Sequence, residues 1–259
     1  MEATAAPNPI DYLDAVAGTV VSLDYKRRLM AALDLRAGQT VLDIGCGPGI
    51  DLGRLADAVA PGGSVAGVDN DPAMLAEARR RFAGQPAVSI WAGNAQSLPL
   101  GTASVDRART DRVLQHVADP AGVLSEARRV LRPGGLLGMA EPDWDTLAVA
   151  DEDVTASRAW ARFVAGSVRN ATVGRQLVRL AAGAGFAIRS VRAVPVLFRD
   201  FASAEQVLGL RRTTARAVQA GVLDSPSWLD RLASGPFLAG FTFYLVVAEN
   251  PAEIVVGLG

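Results

Sequence analysis

Short apolar runs alternate with amphipathic segments through the first half of the chain. Runs at 40–44, 64–69 and 136–142 read as strands; the first carries Asp43 near its end and the second ends in Asp69. Between them, Leu52, Leu55 and Val59 recur at helical spacing. The pattern predicts a strand, a tight loop, a helix and a second strand, which together form a βαβ unit.

Further elements follow from the same periodicity. Two helices are expected between residues 10 and 35, ahead of the first strand. Additional strands are predicted at 88–95, 188–198 and 240–248, and helices at 124–131, 154–168, 174–186 and within 203–234. The segment 104–111 is a weak strand by pattern, because Arg107 and Arg109 interrupt its apolar residues.

The loop after the first strand carries three glycines at alternate positions, Gly45, Gly47 and Gly49. Glycines at a junction between strand and helix give a ligand room to touch the backbone and tolerate positive φ. The dinucleotide fingerprint G-x-G-x-x-G requires a glycine at position 50, which is Ile50. A nucleotide-binding turn of another type is favoured, and an ordinary glycine-rich turn is the alternative for the three glycines alone.

Asp69 lies at the tip of the second predicted strand, where a carboxylate can accept hydrogen bonds from both hydroxyls of a ribose. Its alternative role is to cap the helix that follows. Asp71, with Pro72 at the first helical position, already provides such a cap. Asp69 is therefore expected to be free for a ligand.

Composition narrows the class of protein. The 259 residues are 50% hydrophobic, and 26 basic residues against 27 acidic ones leave a net charge of −1. The chain lacks the excess of positive charge that would suggest a nucleic-acid partner. One Cys and one His are too few for a disulfide or a structural zinc site, so no metal is expected. We found no targeting segment and no run of about 18 apolar residues, so we expect a cytoplasmic protein that does not bind membranes.

Several motifs together resemble a known family. The sequence Asp43-x-Gly45-x-Gly47-x-Gly49 is followed by Asp69, by Gly93-Asn94-Ala95, by the segment 104–120 and by Leu131-Arg-Pro-Gly-Gly135 ahead of an apolar strand. These motifs resemble the class I S-adenosylmethionine (SAM) dependent methyltransferases, and within them the type 11 enzymes, which include those of ubiquinone and menaquinone biosynthesis. The resemblance covers about the central 40% of the chain.

The resemblance implies an α/β fold. It implies a Rossmann-like, seven-stranded, mostly parallel sheet with the last strand antiparallel, helices on both faces and helical lid segments. We expect a single methyltransferase domain over 1–259. Within it we expect an N-terminal helical lid over 1–35, a SAM-binding core over 36–148, and a C-terminal half over 149–259 with a helical insertion at about 200–235.

The resemblance also implies the residues that bind SAM. They are Asp43, Gly45, Cys46, Gly47 and Gly49 around the methionine part, Asp69 and Asn70 at the ribose, Met74 and Ala95 against adenine, Asn94 at its edge, and Thr110 approaching the methionine from the fourth strand. The family usually has Asp where this chain has Asn94; an amide keeps an acceptor oxygen and adds a donor. Cys46 has no reactive role in this interpretation.

Two residues are candidates for catalysis. His116, on the loop after the fourth strand, has an ordinary pKa near 6.5 and could accept a proton; alternatively it packs beneath the loop. Glu141 could orient or deprotonate a substrate hydroxyl, or pair with Arg109 or Arg112 as a buried structural bridge.

Three aromatic residues are candidates for the acceptor pocket, each with core packing as the alternative. They are Tyr12 and Tyr25 on the N-terminal helices and Trp144 after the fifth strand.

The predicted reaction is SAM-dependent methyl transfer to O, N or C of a small-molecule acceptor, with S-adenosylhomocysteine as the product. One alternative is an enzyme of the same fold that binds SAM without transferring the methyl group, such as a cyclase. A nicotinamide-dependent oxidoreductase is a further alternative, weakened by Ile50. We expect a monomer or homodimer.

Overall fold

The computed structural model describes residues 8–252. The ends of the predicted domain, 1–7 and 253–259, lie outside the described residues. The strands are β1 (Thr40–Ile44), β2 (Ser64–Asp69), β3 (Val88–Ala92), β4 (Val105–Asp111), β5 (Leu131–Val149), β6 (Ala187–Phe198) and β7 (Ala239–Glu249).

Two helices precede the first strand, others connect successive strands, and three lie between β6 and β7. They are α1 (Pro9–Ala17), α2 (Val20–Ala32), α3 (Leu52–Val59), α4 (Pro72–Arg81), α5 (Pro120–Val130), α6 (Val154–Gly166), α7 (Val173–Gly183), α8 (Phe201–Leu208), α9 (Leu210–Gln219) and α10 (Ser227–Ser234). The predicted helices at 10–35 correspond to α1 and α2, that at 154–168 to α6 and that at 174–186 to α7, with ends shifted by at most three residues.

The strands form one sheet in the order β3-β2-β1-β4-β5-β7-β6. β1 to β5 pair in parallel, and β7 runs antiparallel to both β5 and β6. The predicted fold class is thus confirmed. In such a sheet the carboxyl ends of the parallel strands open on a common edge, where ligands of α/β proteins bind.

β4 is a complete strand although its sequence pattern is weak. It lies between β1 and β5 and pairs with both, with Arg109 opposite Asp43 on one side and Gly138 on the other. The polar residues are tolerated because acidic groups surround Arg109, as described below. β5 begins earlier than expected, at Leu131, which pairs with Val105; the register then shifts across the predicted turn at 132–135.

Alternate side chains of the central strands supply the cores on the two faces of the sheet. On one face, Val41 and Val65 pack with Leu55 of α3. On the other, Leu42 packs with Leu124 of α5 and other apolar residues of α5 and α7. A third cluster joins α2, α6 and α8 to α10 to the β5–β7 half of the sheet. Among residues 8–252, no helix has the length and apolarity that crossing a bilayer requires.

Candidate functional site

The glycine loop after β1 adopts a conformation that other residues rarely take. Gly45, Gly47 and Gly49 have φ values of +71°, +55° and +82°. The amides of Gly45 and Cys46 both donate to the carbonyl of Val68, at 2.8 and 3.0 Å, which ties the loop to the end of β2. A Cβ on Gly47 would have only Leu13 of α1 nearby, at 3.9 Å. The loop backbone at Gly47 therefore faces the space beneath α1.

Asp69, at the end of β2, organises the loop and keeps acceptor capacity. Its Oδ2 accepts from the amide of Gly47 at 2.8 Å and its Oδ1 from the amide of Asp71 at 2.9 Å. The carboxylate of Asp71 caps α4 through the amides of Ala73 and Met74, as the sequence predicted. Since a carboxylate has about four lone-pair sites, roughly two on Asp69 remain for a ligand.

A cavity of about 630 Å³ opens along the carboxyl ends of the parallel strands. Most of the predicted cofactor residues line it: Asp43, Gly45, Cys46, Gly47, Asp69, Asn70, Met74, Asn94 and Ala95. His116, Tyr12, Tyr25 and Trp144 line it as well. The structure thus brings together residues from four strand ends and from the two N-terminal helices.

Three predicted site residues do not line this cavity, and their expected contacts require correction. A Cβ on Gly49 would lie 2.8 Å from Cε2 of Phe82, so Gly49 allows close packing of Phe82 instead of cradling a ligand. Thr110 is fully buried within β4; its strand neighbours Arg109 and Asp111 line the cavity in its place, because alternate side chains of a strand point to opposite faces. Glu141 is the third.

Glu141 supports the loop after β4 and does not face the cavity. Its Oε1 accepts from the amides of Val113 and Leu114 at 2.8 and 2.7 Å, and its Oε2 accepts a longer bond from Gln115 at 3.4 Å. The side chain is fully buried, and no ion pair joins it to a residue of 8–252. Burial raises the pKa of Glu141 to about 8, against the stabilising effect of these amides on its carboxylate. Within residues 8–252, Glu141 thus lies apart from the cavity lining and forms no ion pair with Arg109 or Arg112, in contrast to both predicted arrangements.

A buried network of charges forms the floor of the cavity. Nη1 of Arg109 lies 2.9 Å from Oδ2 of Asp51. Nη2 of Arg109 donates a hydrogen bond of 2.8 Å to Asp111. Lys26 of α2 pairs with Asp51 and lies 3.4 Å from Asp111. The Nε of Arg109 is 3.6 Å from Asp43. Two cations are thus shared among three carboxylates that the chain supplies from β1, the glycine loop and β4.

This network sets the protonation of its acids. Burial opposes ionisation of Asp51, but Arg109 and Lys26 hold its pKa well below the usual range. Burial raises the pKa of Asp43 to about 6, because the attraction of Arg109 only partly compensates and the charge of Asp51 opposes it. Burial also raises the pKa of the Cys46 thiol, which fits its predicted lack of reactivity.

The two tyrosines on the N-terminal helices line the cavity with their hydroxyl groups already occupied. Tyr25 is buried, stacks on Phe243 with ring centroids 4.5 Å apart and donates to Asp111 at 3.0 Å. Tyr12 donates to the carbonyl of Val207 in α8 at 2.9 Å. Both contacts position α1 and α2 above the carboxyl edge of the sheet.

The loop that follows β4 carries polar side chains into the cavity. The pKa of His116 is lowered by burial and by the charge of Arg112, so its imidazole is neutral at neutral pH. Trp144 stacks on Phe241, with centroids 4.8 Å apart, and its indole N–H donates to Oε1 of Gln115 at 2.8 Å. Trp144 therefore packs on an aromatic neighbour and lines the cavity at once.

Sequence reasoning missed several charged residues at the cavity: Lys26, Asp51, Asp111 and, as lining groups, Arg109 and Arg112. One signal was present for Lys26, which lies four residues after Ser22 and three before Leu29 on the buried side of α2. A polar residue at an apolar-face position of a helix indicates a buried partner. The partners, Asp51 and Asp111, lie far along the chain, and no local pattern identifies them.

Comparisons with known proteins agree with this geometry. The family model described as "Methyltransferase domain", of type 11, matches residues 42–139. An uncharacterised 37.1 kDa protein of transposon TN4556 from Streptomyces fradiae is 53% identical over 250 residues, which cover 95% of this chain and 72% of the relative. A "Probable S-adenosylmethionine-dependent methyltransferase" from Mycolicibacterium smegmatis is 41% identical over 41% of this chain and 39% of its own length.

Residues 42–139 form a methyltransferase domain of the type 11 family. Its cofactor is SAM. A crystal structure of a SAM-dependent methyltransferase from Aquifex aeolicus, at 16% identity and a TM-score of 0.57, covers 92% of this chain and 98% of its own and shows the shared fold. The chain spans about two fifths of the length of the Mycolicibacterium relative.

The residues present fit SAM. The loop at Gly47 leaves the space that a Cβ would fill, Asp69 keeps free lone pairs, and Asp43 offers a carboxylate beside the loop. Asn94 uses Oδ1 to accept from the amide of Gln96 at 2.9 Å, and its side-chain N–H groups remain for a ligand. A methyltransferase core therefore has acceptors for a ribose and for an ammonium group along one wall of the cavity.

Proposed function

We propose that this protein transfers the methyl group of SAM to O, N or C of a small-molecule acceptor. The observation that carries the proposal is the continuity of one cavity from the glycine loop, beside β1 to β3, to an aromatic wall contributed by β5, β6 and β7. Bound SAM supplies an electrophilic methyl group on its sulfonium. The protein holds an acceptor beside the cofactor and excludes water from both.

The position of the N-terminal helices over the cavity favours a small-molecule acceptor. α1 is joined to α8 by the hydrogen bond from Tyr12 to Val207 and by one from Gln206 to the carbonyl of Ala15, and to α4 by the ion pair of Arg81 with Asp14. These contacts place α1 over the cavity between the two halves of the sheet. We infer that α1 and α2, the described helices of the segment 1–35, form a lid and that α8 to α10 form the matching part of the insertion at about 200–235.

The proposed cofactor contacts follow from the lining residues. Asp43 and the glycine loop bind the methionine part, Asp69 and Asn70 the ribose hydroxyls, and Met74, Asn94 and Ala95 the adenine. His116 is the proposed proton acceptor, since its lowered pKa keeps it neutral and it lines the same cavity. A base is required only for an acceptor that must lose a proton.

Two measurements test the proposal in sequence. Thermal unfolding of the purified protein is recorded with S-adenosylhomocysteine, with SAM and with NAD(P); we expect an increase in Tm with the first two. A gain with NAD(P) alone would contradict the assignment. The protein is then incubated with methyl-deuterated SAM and a panel of phenols, amines and activated ring carbons, and the products are weighed by mass spectrometry. Binding of SAM without any labelled product across the panel would favour an enzyme of this fold that transfers no methyl group.

A further inference from the structure

The cavity changes character from one side of the sheet to the other. Beside β1 to β3 it is lined by glycines and acids, whereas beside β5 to β7 its wall is apolar. That wall consists of Trp144, Val168, Val196, Phe198, Phe241 and Phe243. The rings of Trp144 and Phe241 are inclined by only 25° and stack on each other, and aromatic rings make up most of the wall. A flat apolar molecule suits such a surface, because its burial removes apolar area from water.

Most hydrogen-bonding groups near the apolar wall are already occupied. Gln115 accepts from Trp144 through Oε1 and donates through Nε2 to the carbonyl of Arg112 at 3.3 Å. The hydroxyls of Tyr12 and Tyr25 donate to Val207 and Asp111. These side chains shape the pocket and offer a bound molecule little further polar recognition.

Arg112 differs from these groups because its guanidinium has no hydrogen-bonding partner in the described part of the chain. It donates no side-chain hydrogen bond within residues 8–252, and its Nε is buried without a partner. The nearest acid is Asp111, whose Oδ1 lies 3.6 Å from that Nε. Asp111 already accepts from Tyr25 and Arg109. A guanidinium carries five N–H donors, so leaving these donors without acceptors beside an apolar wall is unfavourable.

The backbone holds Arg112 in this position. Its φ is +59°, a conformation that a non-glycine residue adopts rarely. Its amide donates to the carbonyl of Ala140 in β5 at 2.9 Å, and the next amides are bound by Glu141. The side chain lines the cavity and is 19% exposed. The strained residue is thus fixed on both sides, and its cation is presented to the cavity.

We propose that Arg112 binds an anionic oxygen group of the acceptor, and that the acceptor is a flat apolar molecule carrying a carboxylate or an ionised hydroxyl. This inference rests on the proposed function, since it assigns the apolar half of the cavity to the acceptor. A guanidinium pairs with such a group through charge-assisted hydrogen bonds, which are the strong ones in a site shielded from water.

The charge pattern favours the acceptor over the cofactor as the partner of Arg112. Lys26 and Arg109 are neutralised by Asp51 and Asp111, on the side of the glycine loop. Arg112 is the remaining cation among the residues that line the cavity, which it shares with Tyr12 and Tyr25, and it is adjacent in sequence to the loop that carries Gln115 and His116. Should Arg112 instead bind the carboxylate of SAM, its replacement would weaken cofactor binding, and the experiment below separates the two cases.

The first test compares acids with their neutral amides. Protein saturated with S-adenosylhomocysteine is titrated in a calorimeter with benzoate, phenylacetate and cinnamate, and with benzamide, phenylacetamide and cinnamamide. We expect at least one acid to bind about tenfold or more tightly than its amide. Arg112→Gln should abolish that preference, Arg112→Lys should retain part of it, and Arg192→Gln, an exposed arginine of β6, should leave it unchanged. If none of the acids is preferred over its amide, the inference is overturned.

Affinity for S-adenosylhomocysteine is measured on the same proteins. We expect Arg112→Gln to bind it within about twofold of the unaltered protein; a loss as large as the loss of acid binding would assign Arg112 to the cofactor and overturn the inference. Failure of the unaltered protein to bind S-adenosylhomocysteine would instead contradict the proposed function. The two failures are therefore distinguishable.

The single histidine of the chain provides an independent signal. The positive charge of Arg112 contributes to the lowered pKa of His116, so an anion bound to Arg112 should raise that pKa, as should Arg112→Gln. The imidazole resonance is titrated by NMR with and without the preferred acid and its amide. A rise with the acid and none with the amide supports the proposed position of the anion; equal responses to both contradict it.

Discussion

Nη1 of Arg109, in the middle of β4, lies 2.9 Å from Oδ2 of Asp51, the residue that precedes α3. The pair joins the central strand to the end of the glycine loop. Arg109 is 2% exposed and Asp51 4% exposed, so each carries a charge that only the other and a few neighbours can compensate.

Arg109→Met should destabilise the protein by roughly 3–5 kcal/mol, because it leaves Asp51 and Asp111 buried with Lys26 as their main remaining partner. Chemical denaturation measures the loss. Arg107→Met is the matched control on the same strand, since Arg107 donates mainly to backbone carbonyls such as that of Leu33 at 2.7 Å and is only partly buried. An equal loss in the two variants would contradict the stabilising role of the network.

Glu141→Ala should lower the free energy of unfolding by about 3 kcal/mol, because the amides of Val113 and Leu114 would be buried without an acceptor. Activity should fall as well, since those amides hold the loop that presents His116. Glu141→Gln keeps one acceptor oxygen and should be milder in both respects. Wild-type stability in Glu141→Ala would show that the loop does not depend on this carboxyl group.

The raised pKa of Glu141 predicts that the stability of the protein depends on pH. Its pKa is about 8 in the folded protein against an ordinary 4.5, so between these values the folded chain holds a proton that the unfolded chain has lost. The contribution of Glu141 to the free energy of unfolding therefore decreases as pH rises from about 4.5 to about 8. Denaturation at several pH values should show a shallower decline in Glu141→Gln than in the unaltered protein.

Asp69→Ala should weaken binding of S-adenosylhomocysteine by about 10- to 100-fold, through loss of charge-assisted hydrogen bonds to the ribose and loss of the bond that holds Gly47. Calorimetry measures the affinity, and circular dichroism checks that the fold is kept. Asp57→Ala, an exposed acid of α3, serves as the control. Unchanged affinity in Asp69→Ala would contradict the assignment of the ribose site.

His116→Ala should reduce kcat by roughly 10²–10⁴ for an acceptor that loses a proton, with little effect on KM for SAM. In the unaltered enzyme kcat should decline only at pH values below the ordinary histidine pKa, because the pKa of His116 is lowered. Asp43, with a pKa of about 6, should act differently: its protonation should raise KM for SAM below that pH. A kcat in His116→Ala close to that of the unaltered enzyme would leave the histidine a packing role.

Local patterns were sufficient for much of the fold and for the cofactor side of the cavity. The glycine spacing, the acid at the end of β2 and the cap at Asp71 are each encoded within a few residues. Their geometry follows from local conformational rules: positive φ at glycine and hydrogen bonding at a helix start. β4 was the weak prediction, because its stability as a strand depends on acids from other elements.

By itself, the sequence determined the α/β fold class, the SAM cofactor and most of the residues that meet beside the glycine loop. Only the tertiary structure decided which buried charges are paired, that Glu141 holds a loop, and that the guanidinium of Arg112 donates no side-chain hydrogen bond within residues 8–252. The physical reason is the separation along the chain between the residues that interact. A turn or a cap is set by neighbouring residues, whereas the partner of a buried charge is set by distant segments that folding brings together, as with Arg109, Asp51 and Lys26.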